Sequence, residues 1–83
     1  MEALGDFNMA IKVAPENADL YNGRGFAWYL LNEPVEALQD FDRAIKLDPT
    51  FKTAYTNRGL AKEKLREQQQ AAQNVAAASP GGK

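Results

Sequence analysis

Apolar residues in the middle of this chain recur at helical spacing. Tyr21, Gly25 and Trp28 fall at i, i+4 and i+7, and Leu38, Phe41, Ala44 and Ile45 at i, i+3, i+6 and i+7. These spacings gather side chains onto one side of an α-helix. Asn32-Glu33-Pro34 separates the two faces, and a proline near a helix start gives up only an N–H that would be unsatisfied anyway. A second helix is therefore expected to begin at Pro34 and to end at Pro49, making residues 18–49 a helical hairpin. Asn17 is the expected N-cap of the first helix, and Asp19 places negative charge near its positive end.

Half of this unit precedes it in the chain. Ala3-Leu4, Asp6-Phe7 and Ala10-Ile11-Lys12, closed by Pro15, return 34 residues later as Ala37-Leu38, Asp40-Phe41 and Ala44-Ile45-Lys46, closed by Pro49. The other half follows it, Tyr21 returning as Tyr55 and Arg24-Gly25 as Arg58-Gly59. A fixed period of this size predicts a stack of helical units, each burying its apolar face against its neighbours.

The period and its residues carry a family resemblance. An aromatic, a glycine, a second aromatic, Ala-x-x-x-Phe, a small residue and a terminal proline within a period of about 34 residues are the marks of the tetratricopeptide repeat. Tyr21, Gly25, Trp28, Ala37, Phe41, Ala44 and Pro49, with Tyr55 and Gly59 in the next copy, resemble that signature. The chain departs from it in having Tyr21 where tryptophan is usual and Arg24 where leucine is common. The resemblance implies an all-α fold of antiparallel hairpins stacked as a right-handed solenoid, here about two and a half repeats. It also implies that Gly25 and Ala37 allow the two helices of one hairpin to approach, that Phe41 plugs the space between units, and that Ala44 admits the following helix.

One domain over residues 1–78 is expected: the second helix of a partial repeat at 3–15, the full repeat at 18–49 and a degenerate third repeat at 52–78. The first of these lacks its own first helix, so Leu4, Phe7 and Ile11 have only the downstream hairpin to pack on, as in an excised segment or a trimmed terminus. In the third, Lys62 replaces the second aromatic, and Leu65-Arg66-Glu67-Gln68-Gln69-Gln70 holds none of the usual helix breakers. Two courses are open. Either the chain turns near Arg66 and a thin helix bearing Ala71, Ala72, Val75 and Ala78 folds back as a cap, or Lys52 to Ala78 is one unbroken helix of about 40 Å. The second course leaves an apolar face that another copy of the chain would cover, as a domain-swapped or end-to-end dimer. Ser79 to Lys83 is expected to be a disordered tail.

Composition narrows the function. With 83 residues, 45% hydrophobic and 25% charged, the chain has the make-up of one soluble domain of modest stability. Its net charge of −1 gives no field for nucleic acid. No apolar run approaches the ~20 residues of a membrane span, and Met1-Glu2-Ala3 opens a helix and not a signal peptide, so a cytoplasmic location is expected. The chain has no histidine and no cysteine, its only serine is Ser79, and Thr50, Thr53 and Thr56 have no imidazole to activate them. Asp40 with Asp42, and Glu63 with Glu67, read as solvated helix surface. No metal ligands or cofactor motif are assigned: a carboxylate pair within a helix cannot wrap an ion, and Gly23-Arg24-Gly25 lacks the third glycine of a phosphate loop. The glycines read as packing residues, and the chain as non-enzymatic.

Function is then expected at the surface. The resemblance implies that the first helix of each hairpin lines a concave groove for a partner's peptide or helix. Asp19, Asn22, Phe26, Tyr29 and Leu30 are the candidates on the central hairpin, and Thr53, Thr56, Asn57, Leu60, Glu63 and Lys64 on the third stretch. Phe26, Tyr29 and Leu60 would supply apolar anchors. Members that grip the acidic C-terminal tails of chaperones use a two-carboxylate clamp; here Asn57 alone matches it, Asn22, Phe26 and Thr53 standing at the other positions, so that ligand is not expected. The alternative is a structural element that assembles with copies of itself across a symmetric contact at Leu4, Phe7 or Val75.

Overall fold

The computed structural model describes residues 2–78, with side chains described over 3–73. Four helices follow one another: α1 (Glu2–Val13), α2 (Ala18–Leu30), α3 (Pro34–Leu47) and α4 (Lys52–Ala78), with no strand among the described residues. Each helix packs on the next in chain order, and α2 also touches α4. The expected tail at 79–83 lies outside the described residues, as do the side chains of Val75 and Ala78.

Local chemistry sets the helix ends. Asn17 caps α2, its Oδ1 accepting from the backbone N–H of Asp19 at 3.0 Å. At the other end of α2 the N–H of Asn32 donates to the Tyr29 carbonyl at 3.0 Å and that of Glu33 to the Trp28 carbonyl at 2.9 Å. This is the Schellman arrangement, which needs a left-handed residue after the cap. Asn32 fills that place with φ of 62°, a conformation asparagine tolerates better than most side chains. Pro34 then opens α3 at its first position.

The repeat-equivalent of that turn explains the length of α4. Arg66 stands where Asn32 does in the preceding unit and Gln68 where Pro34 does. Neither favours a left-handed residue or forces a new helix start, and both propagate a helix well. Of the two courses open to the sequence, the structure takes the unbroken one, 27 residues from Lys52 to Ala78. α4 is held to α2 at the level of the turn, Lys64 Nζ donating to Asn32 Oδ1 at 3.0 Å and Gln68 Nε2 to the Asn32 carbonyl at 3.1 Å.

Two small clusters make the core. In one, Tyr21, Ala44 and Ala54 are buried with Ile11, Ile45 and Phe51 against them; in the other, Phe41, Ala37 and Ala61 are buried beneath Trp28, Tyr29 and Leu38. Each inter-unit bend carries a tyrosine hydroxyl bond, Tyr21 to the Pro15 carbonyl at 2.8 Å and Tyr55 to the Pro49 carbonyl at 2.9 Å. Asp40 departs from the expectation of a solvated carboxylate. It is 5% exposed and accepts from Arg24 Nε and Nη2, both at 2.8 Å, because it stands beside Phe41 on the inward stripe of α3. The pair raises the pKa of the Arg24 guanidinium, its hydrogen bond to Asp40 outweighing the opposing effect of burial.

The glycines of the two repeats are not equivalent. A methyl group on Gly25 would lie 2.7 Å from Cε1 of Phe41, whose ring is fully enclosed, whereas one on Gly59 would meet nothing within 4 Å among the described residues. Gly25→Ala should therefore lose about 1–3 kcal/mol to overpacking, while Gly59→Ala should gain about 1 kcal/mol of helix propensity. Thermal unfolding of dilute protein, followed by circular dichroism, should show shifts of opposite sign.

Candidate functional site

A groove of about 610 Å³ opens between α2 and α4, lined by Phe7, Asn22, Gly23, Phe26, Ala27, Leu30, Thr53 and Asn57. Its walls are mostly apolar. The amides of Asn22 and Asn57 meet across it, Asn57 Nδ2 donating to Asn22 Oδ1 at 3.1 Å. The helical period places Asn22, Phe26 and Leu30 at successive i+4 positions on α2, and Thr53 and Asn57 on α4 repeat the spacing.

Five of the sequence candidates, Asn22, Phe26, Leu30, Thr53 and Asn57, thus share one depression. The others stand elsewhere. Tyr29 is half-buried over the Phe41 cluster, stacked against Phe26 with ring centroids 5.9 Å apart. Lys64 lies 4.2 Å from the Tyr29 ring centroid, where its charge favours both the π-face and the negative C-terminal end of α2. These two join α2 to α4. Asp19 is exposed in the first turn of α2, Thr56 and Leu60 are exposed on α4 outside the groove lining, and Glu63 pairs with Arg66 one turn on.

Three groove residues were missed from sequence: Phe7, Gly23 and Ala27. A methyl group on Gly23 would lie 2.6 Å from the Phe7 ring, so the glycine lets that ring from α1 reach the groove wall. The signal was the pairing of Gly23 with Gly25. Two missing side chains on one turn of α2 accommodate two phenylalanines, Phe7 from α1 and Phe41 from α3.

The model of the tetratricopeptide repeat matches residues 18–51, the segment that supplies α2, α3 and the bend into α4. Residues 18–51 carry a tetratricopeptide repeat. The repeat signature accounts for Gly25 against Phe41 and for Ala44 against α4, and repeats of this family generally mediate protein–protein interaction. No curated protein and no solved structure matches the chain. Among the described residues no helix is long and apolar enough to cross a membrane.

Proposed function

We propose that the chain is a protein–protein interaction module that takes a partner's peptide or helix in the groove between α2 and α4. The observation that carries this reading is the composition of the groove: apolar walls from Phe7, Phe26, Ala27 and Leu30 around the Asn22–Asn57 amide pair. Phe26 and Leu30 are 40% and 64% exposed, an apolar surface suited to one or two side-chain anchors of a partner. The amide pair uses one donor and one acceptor. Asn22 keeps an NH₂ group and Asn57 a carbonyl oxygen with which to bond a peptide main chain.

A random peptide library selected on the immobilised chain, followed by fluorescence titration of the selected peptides, tests this. Phe26→Ala and Leu30→Ala should each weaken binding about 10- to 100-fold while leaving the thermal unfolding midpoint nearly unchanged, since neither side chain belongs to the buried core. Peptides that bind both variants as tightly as the parent would refute the groove as the site.

A further inference from the structure

Helices α1 and α4 carry the two complementary halves of a hairpin that is not closed among the described residues. In the α2–α3 hairpin the receiving face is Tyr21, Arg24 and Gly25, and the inserted face is Ala37, Asp40 and Phe41. One period away, α4 presents the same receiving set, Tyr55, Arg58 and Gly59, and α1 the same inserted set, Ala3, Asp6 and Phe7.

Both sets lack their counterpart among the described residues of the single chain. Tyr55 is 42% exposed where Tyr21 is 8%. Among the described residues, nothing stands within 4 Å of a methyl group on Gly59, where Gly25 meets the Phe41 ring. The arginines differ in the same sense. Arg24 donates from Nη1 to Asn8 and from Nε and Nη2 to Asp40, each at 2.8 Å. Arg58 repeats the first of these bonds, Nη1 to Asp42 at 3.0 Å, and has no acceptor on Nε or Nη2 among the described residues. On α1, Asp6 and Ala3 are exposed, as are Met9 and Val13.

We infer that the chain associates with copies of itself head to tail, α1 of one copy seated on residues 52–65 of α4 of the next. Asp6 enters the open fork of Arg58, and Phe7 covers Gly59. Met9 lies over the Tyr55 ring, where Arg43 lies over Tyr21 at 5.7 Å in the α2–α3 hairpin. Charge complementarity and the internal template select a second copy as the occupant. The contact joins unlike faces, so each added copy leaves one of each free and growth does not stop at two. This inference is independent of the groove reading.

Analytical ultracentrifugation of the chain up to about 1 mM, the weak end of specific affinities, provides the test. The parent's average mass should rise with concentration and pass that of a dimer. Asp6→Arg and Arg58→Glu should each weaken association at least tenfold by placing like charges together. An equimolar mixture of the two should regain it, because every contact between unlike variants then holds one acid and one arginine. Gly59→Leu should stay monomeric with an unaltered helical spectrum, since its side chain enters space that none of the described residues of the single chain fills. A parent that remains monomeric to about 1 mM, a dimer plateau unaffected by these variants, or a mixture no more associated than its components would overturn the inference.

Discussion

Phe41→Ala is expected to cost about 3–5 kcal/mol, the usual range for emptying a fully enclosed phenylalanine site. The ring is inaccessible to solvent and fits between Gly25 on α2 and Ala61 on α4, with Ala37 beside it on its own helix. Its loss leaves a void bordered by Gly25, Ala37 and Ala61, which have no side-chain length with which to fill it, beneath Trp28, Tyr29 and Leu38. Domains of this size hold only a few kcal/mol of net stability, so the variant should be largely unfolded without denaturant. Urea titration by circular dichroism checks this; a midpoint within experimental error of the parent's would show that Phe41 is not the keystone of the second cluster. Phe7→Ala, at the repeat-equivalent position, should cost much less because the Phe7 ring is only half-buried.

The second large effect is asymmetric. Arg24→Ala should lose about 3 kcal/mol, near the lower end for breaking a buried ion pair, because it strands the Asp40 carboxylate, whose side chain is 7% exposed. Removing Asp40 instead leaves an arginine that is 24% exposed and still bonded to Asn8, so Asp40→Ala should cost less. The double variant Arg24→Ala with Asp40→Ala should be more stable than Arg24→Ala alone. A double-mutant cycle on urea midpoints measures this coupling, and strict additivity would contradict it.

Much of the fold was legible because the same residues occur twice. The 34-residue recurrence of Ala-Leu, Asp-Phe and Ala-Ile-Lys marks out the units, and the family resemblance assigns Gly25 to the close approach within the hairpin and Phe41 to the space between units; that Gly25 and Phe41 meet each other is seen only in the structure. Asp40 was misread because charge was assigned to solvent by type. Its position, one residue before Phe41 and three after Ala37 on the inward stripe, together with the recurrence of Asp6, carried the opposite signal. Tyr29 and Lys64 face the groove side on a helical wheel, yet their placement depends on how closely α4 approaches the C-terminal end of α2, which one-dimensional periodicity does not encode. The course beyond Leu65 stayed open because the end of α2 is set by a left-handed asparagine and a proline, and their absence permits a continuing helix without requiring one.

The tyrosine bonds to the Pro15 and Pro49 carbonyls have a consequence for how such a chain can lengthen. Each spans only six residues of sequence, so the joint angle between neighbours is set locally, by the proline that closes one 34-residue unit and the tyrosine that opens the next, and a whole unit carries both. Duplicating that unit copies its hinge setting along with it, and gain or loss of a whole module leaves the orientation at every other joint intact.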